Sequence, residues 1–497
     1  MPIAHPVLFQ SFAASVARVF LLALACAALP TVAAASPASA ARPEAPRLVV
    51  LTDIEADPDD TQSLVRLLLY SDTIDLEGLV ATTSTWKRTS VAPESIRAVI
   101  RAYGEVHGNL LLHDANFPPP ETLLALVKTG RPEYGMLGVG EGRDSEGSDW
   151  LIHCLDRDDA RPLWVTAWGG VNTLAQALHK LRATRAPVEV DRLVAKLRVH
   201  TISDQDDAGP WLRKEFPRLF YIVTPGGNYG DATWTAIHTA VPGVDNTTIG
   251  NRWLAAHIQQ DHGPLGAAYP DVAWGMEGDT PAFLGLIPNG LNAPEHPDWG
   301  GWGGRYELNR PEVNVADPRT FIGGVAIPPE TRPIWTNAVD EYTPPQYAEY
   351  GRPVAAGEKA FRDAKVTLWR WRDDFQNDFA ARMDWTTQPY ARANHPPVPA
   401  LAHPDAFTVR SGEGFALDAH PSTDPDGDSL SYYWMPYPEA GSCKTAVKID
   451  GATNSISTWV VAPKVERPET LHFILRVTDK GTPALTRYNR IVVTVVP

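Results

Sequence analysis

From Leu48 onward the chain repeats one pattern: a short unbroken apolar run, then a stretch whose apolar positions recur at helical spacing. Leu48–Thr52, Leu76–Thr82, Pro162–Ala167, Leu197–Ile202 and Leu219–Val223 read as strands buried on both faces. Between them, Leu64, Leu67 and Leu68, then Ile96, Val99, Ile100 and Tyr103, then Leu174, Ala175, Leu178 and Leu181 mark single helix faces. This alternation predicts a mainly parallel open sheet flanked by helices, an α/β fold. The pattern then loosens. Pro288 to Pro345, rich in Gly, Pro, Trp and Asn, reads as ordered loop, and Tyr347 to Ala381 as helix. Asn394-His395-Pro396-Pro397-Val398-Pro399 is a linker signal. Beyond it come short alternating runs at Phe415–Asp418, Leu430–Trp434, Ser457–Val461, Leu471–Thr478 and Arg490–Val496, the pattern of an all-β immunoglobulin-like sandwich. The expected organisation is a leader over 1–35, an α/β domain over 46–345, a helical connection over 346–393 and a self-contained sandwich over 394–497.

The first strand runs straight into Asp53, Glu55, Asp57, Asp59 and Asp60. Acidic residues favour helix N-termini, which accounts for one or two of them. Five so close together repel one another unless a cation holds them, and hard divalent cations take oxygen ligands of this type. The carboxyl end of a strand in an open α/β sheet is where ligands bind.

Composition narrows the setting. The 497 residues are 44% hydrophobic, and the net charge of -15 offers nothing to offset phosphate repulsion, so a nucleic acid polymer is not an expected partner. Arg18, the apolar run Val19–Leu29 and the small residues ending at Ala35 form an export signal, too short for a membrane span. A periplasmic or secreted location follows; Cys26 is a poor lipid-attachment match. Cys154 and Cys443 make no disulfide framework and no zinc spacing. A homo-oligomer is compatible with the sequence.

The run Asp53-Ile54-Glu55-Ala56-Asp57-Pro58-Asp59-Asp60 resembles the N-terminal signature of nucleoside hydrolases. Ser203–Trp211 (SDQDDAGPW), Trp274–Leu284 (WGMEGDTPAFL) and His296–Leu308 (HPDWGGWGGRYEL) are similar to an exported bacterial nucleoside-hydrolase-like family of unknown function, sometimes labelled cellulose-binding. The resemblance implies a calcium ion held by Glu55, Asp60, the Trp168 carbonyl and Asp279, with Asp59 receiving sugar hydroxyls. It also implies Glu55 or Asp53 as the base. Glu277 is a candidate acid for the leaving group. The sequence departs from the hydrolase pattern in Glu55, in Ala56-Asp57, in the absence of a histidine beside Asp279 and in the loss of a ribose-gripping segment after Ile202. A rebuilt leaving-group pocket is therefore expected.

Trp86, Trp299 and Trp302 could present ring faces to a sugar, and Asn228 could reach the same mouth. Trp299 and Trp302 are equally explained as packing for a loop lid, and Asn228 as a turn residue. Asp424-Pro-Asp-Gly-Asp428 lacks the glutamate an EF-hand needs, and reads as a turn or as the hairpin of an exported sandwich. The expected activity is calcium-dependent hydrolysis of an N- or O-glycosidic bond in a furanoside or nucleoside-like substrate. The alternatives are a non-catalytic carbohydrate (cellulose)-binding protein on the same fold and a surface adhesion protein.

Overall fold

The structure, a computed structural model, describes residues 45–226, 233–242, 244–311, 328–344, 346–347, 353–354 and 359–497. The leader expected over 1–35 and Asn228 lie outside them. Eight strands form one sheet: β1 (Arg47–Thr52), β2 (Asp75–Ala81), β3 (Val127–Thr129), β4 (Leu163–Ala167), β5 (Leu197–Ser203), β6 (Phe220–Thr224), β7 (Tyr306–Asn309) and β8 (Ile334–Asn337). Their order is β3-β2-β1-β4-β5-β6-β8-β7. Every neighbouring pair is parallel except β7 with β8.

Because strand side chains alternate, β1 feeds two cores. Leu48 and Val50 pack on one face with Leu64, Leu67 and Ile100, while Val49 and Leu51 pack on the other with Leu174 and Leu178. The two helices that follow β1 and β2 are α1 (Asp59–Leu68) and α2 (Pro93–Leu110). The strand order reverses between β1 and β4, so the crevice beyond their carboxyl ends is the topological switch point of the sheet.

Two sequence expectations are corrected here. The stretch read as loop from Pro288 to Pro345 contains β7 and β8, which extend the sheet as an antiparallel edge. Their alternation was hidden among Gly and Pro signals. The helix expected from Tyr347 to Ala381 begins only at Val366–Trp369 and continues as Arg372–Asp384. Before it, Gln346–Tyr347 pairs with Pro353–Val354, and Phe361–Asp363 pairs with Asp340–Tyr342. Pro353 interrupts helical continuity.

The C-terminal region is a sandwich. Ala406–Arg410, Thr486–Val496, Glu469–Thr478 and Ser431–Pro436 form one sheet in that order, and Gly414–Asp418 pairs with Ser457–Val461 in the other. Trp434, Phe473, Leu475 and Val493 fill the space between them. Asp424 receives the Asp426 and Asp428 amides at 2.9 and 3.0 Å, so this acidic stretch closes a turn. Cys154 and Cys443 are buried free thiols.

The sandwich and the α/β region share one apolar cluster, in which Met435, Tyr437, Ile474 and Tyr488 pack with Trp302, Trp371 and Phe375. Polar bonds reinforce it. Arg476 pairs with Asp374 at 2.6 Å, Arg487 with Asp378 at 2.7 Å, and the Tyr437 hydroxyl donates to Asp340 at 2.7 Å. The linker is held as well: His395 lies 2.9 Å from His113 and 3.0 Å from Asp426. Among the described residues, no helix is long and apolar enough to cross a membrane.

Candidate functional site

The chain leaves β1 at Thr52 and reaches α1 through a tight turn in which the Ala56 amide donates to the Asp53 carbonyl at 3.0 Å. The Thr52 hydroxyl receives the Ile54 amide at 3.1 Å and donates to the Asp60 carboxylate. The Asp59 amide donates to Asp57 at 3.0 Å. These bonds gather Asp57, Asp59 and Asp60, so that carboxylate oxygens of all three lie within 4.8 Å of one another. Above them is a cavity of about 450 Å³ lined by Asp53, Ala56, Asp279, Gln205 and four tryptophans, Trp86, Trp168, Trp234 and Trp274, besides the three acids themselves.

Two glycines permit this crowding. A Cβ on Gly169, just beyond β4, would lie 2.6 Å from an Asp53 oxygen, and one on Gly278 would strike the Trp234 indole at 1.9 Å. The Trp234 Nε1–H donates to Asp59 at 2.7 Å.

Burial dominates the electrostatics. It pushes the Asp53 carboxyl up to about 6, with the nearby Asp57 charge adding to it and a Ser84 hydrogen bond opposing it. Burial likewise lifts Asp60 well above the usual carboxylate range, with Asp53 as the next cause. Asp59 and Asp279 are raised by burial and then by the surrounding carboxylates. Such a set of oxygen donors, dry and mutually repelling, fits a hard divalent cation.

The structure brings together Asp53, Asp59, Asp60, Trp86, Trp168 and Asp279 from the sequence reading. It turns others away. Glu55, read as cation ligand and base, has a φ of 81° that reverses its side chain. The carboxylate is half exposed, pairs with Lys87 at 2.6 Å and accepts from the Ser95 hydroxyl, which holds its pKa below the ordinary value. Asp57 lines the cavity in its place. Glu277, read as the acid, is fully buried behind the site, paired with Arg66 at 2.6 Å and receiving the Tyr269 hydroxyl at 2.7 Å.

Trp299 and Trp302 belong to the contact with the sandwich rather than to the cavity. Trp299 stacks on His296 and meets the edge of His472, and Trp302 donates to the Tyr488 hydroxyl at 3.2 Å. The Trp168 carbonyl, read as a cation ligand, accepts from the Gln205 side-chain amide. Trp234, Trp274 and Gln205 carried no sequence expectation. The signal available was their position, Gln205 just after β5 and Trp274 a few residues before Asp279.

An open parallel sheet with an acidic, tryptophan-lined cavity at its switch point is a nucleoside-hydrolase-like architecture. The chain belongs to the family described as cellulose-binding Sde182, nucleoside hydrolase-like domain, whose model matches residues 47–306. The model described as cellulose-binding protein Sde0182, C-terminal domain, matches residues 414–495. A nucleoside hydrolase-related hypothetical protein from Saccharophagus degradans, associated with carbohydrate metabolism, is 36% identical. That match covers 91% of this chain and 100% of the other, with a TM-score of 0.74. The effector protein XOO4466 is 12% identical over 59% of this chain and 88% of its own, at a TM-score of 0.28. The type III effector protein XopQ, complexed with adenosine diphosphate ribose, is 12% identical over 50% and 69%, at 0.27. A search of curated proteins returns no match.

Proposed function

We propose that this protein is an exported, calcium-dependent hydrolase of N- or O-glycosidic bonds, acting on a furanoside or nucleoside-like sugar. The observation that carries the reading is the convergence of Asp57, Asp59 and Asp60 at one end of a tryptophan-lined cavity large enough for a sugar. Export rests on the apolar run Val19–Leu29 and the small residues up to Ala35.

Asp57, Asp59, Asp60 and Asp279 would hold the ion. A divalent cation held there would supply Lewis-acid activation of water and of substrate oxygens. Asp53, buried and lining the same cavity beside these acids, is placed to accept a proton. Cleavage of a glycosidic bond builds positive charge at the anomeric carbon, which the surrounding carboxylates stabilise. Trp86 and Trp274, 61% and 78% exposed, offer ring faces to a sugar while Trp168 closes the interior.

Those two exposed rings also favour a second reading, a carbohydrate (cellulose)-binding protein that uses the same cavity without turnover. Aryl furanosides, nucleosides and cello-oligosaccharides, assayed with calcium and with chelator, separate the two. Chelator-sensitive release of product supports the hydrolase; sugar binding with no turnover of any of them transfers the conclusion to the binding protein.

A further inference from the structure

The cavity contains one oxygen that the carboxylate cluster does not explain. Gln205 is 6% exposed and lines the cavity, and its Oε1 has no hydrogen-bond partner. The orientation of the amide is fixed by chemistry: its nitrogen faces the Trp168 carbonyl, which can only accept. The side-chain oxygen is therefore the end left over. A buried acceptor without a partner is costly.

The residue is also held in place. Its backbone carbonyl receives the Thr85 amide at 2.8 Å. Asp204 before it is bound by Arg213 at 2.7 Å, and Asp206 after it receives the Asn172 and Ala208 amides, both at 3.0 Å. The acids on either side of Gln205 are thus consumed by structure. The one group the loop after β5 offers to the cavity is a neutral oxygen.

We propose that the Gln205 side-chain carbonyl is a ligand of the cation, set beside the Trp168 backbone carbonyl to which its own amide nitrogen donates. This rests on the cation reading above. Side-chain amide oxygens are ordinary calcium ligands, and a neutral one completes a coordination shell without adding to carboxylate repulsion. Its depth agrees, since Gln205 is buried like Asp53, Asp59, Asp60 and Asp279, whereas the rings offered to sugar at Trp86 and Trp274 are exposed.

The test is calorimetric titration of the full chain with calcium chloride, alongside melting in chelator. Gln205→Leu is expected to lose on the order of 10- to 100-fold in calcium affinity, the loss seen when groups supporting a metal site are removed. Because Gln205→Leu also deletes the bond to the Trp168 carbonyl, its melting temperature in chelator is expected to fall modestly; the rise in melting temperature on adding calcium should shrink well beyond that, which a merely structural residue would not cause. Gln205→Glu, which keeps an oxygen and adds charge, is expected to bind calcium more tightly. Unchanged calcium affinity in both variants, with calcium still bound by the unaltered protein, overturns this assignment alone. A loss of sugar binding in those variants at unchanged calcium affinity assigns the oxygen to the sugar and also overturns it. No calcium binding by the unaltered protein removes the cation reading itself, and this proposal with it.

Discussion

Trp234 donates its indole N–H to Asp59 at 2.7 Å, so one side chain both presents a ring to the cavity and fixes a carboxylate of the cluster. The bond favours the ionised form of Asp59 against the burial that disfavors it. Trp234→Phe keeps the ring and deletes the donor. Calcium affinity is expected to fall by about 10-fold or more, as when other supporting contacts are lost. Titration calorimetry at neutral pH checks this, and an unchanged affinity would separate Asp59 from the cation.

Thr52 and Glu55 should behave oppositely. Thr52→Val removes the hydroxyl that orients Asp60, and calcium affinity should drop by roughly 10- to 100-fold, with Asp60→Asn at least as severe. Glu55→Gln, at a carboxylate engaged outside the cavity, should leave calcium affinity nearly intact. Parallel titrations would show it, and a collapse in Glu55→Gln would return that residue to the site.

Stability should depend on pH in a cation-dependent way. Folding raises Asp53 to about 6 and Asp206 to about 7, chiefly through burial. The folded state therefore holds more protons than the unfolded state between about pH 4 and those values. Contributions from these groups are greatest in acid and are lost as pH rises through 6 to 7. In chelator, melting temperature should decline across that window. Calcium, by binding the ionised folded site, should oppose the decline. A melting curve series with and without calcium tests both halves.

Arg66 and Glu277 form a fully buried pair beside the site. Arg66→Met leaves the Glu277 charge uncompensated and should cost about 3–5 kcal/mol of stability, readable by denaturant unfolding. Arg66→Met with Glu277→Gln together should recover part of that loss.

The carboxyl-end placement of the acidic run was legible because β1 and the five acids are contiguous, and a buried strand leading into a helix can put such residues nowhere else. Which acids face inward was not legible. Alternate spacing suggests that Asp53, Glu55 and Asp57 share a face, but that rule holds for strands, and the left-handed backbone at Glu55 breaks it. Trp234 was invisible for another reason: it sits in the short Thr233–Thr235 turn of helix, where no periodicity marks a direction. Trp302 was read as open to either role. Its partner Tyr488 lies 186 residues away, a separation that local pattern cannot bridge.

Deleting the chain from Asn394 onward should destabilise what remains. Asp374 would lose Arg476 and Tyr488, Asp340 would lose Tyr437, and Trp302 and Trp371 would lose their apolar cover. Asp340 keeps Arg305 and Arg370, so the main cost is the apolar surface around Trp302 and Trp371 opened to water. Limited proteolysis and calorimetry of the truncated chain test this; a single cooperative transition at an unchanged temperature would contradict it.

The Tyr488 hydroxyl, placed between the Trp302 indole and the Asp374 carboxylate, sets a limit on engineering this molecule. A chimera that exchanges the sandwich for an unrelated module of the same shape would bring no phenol to that position and no guanidinium where Arg490 reaches the Leu291 and Gly300 carbonyls. Grafting would succeed only if those side chains travelled with the new module. The junction is a keyed fit, and its code is written in residues on both sides.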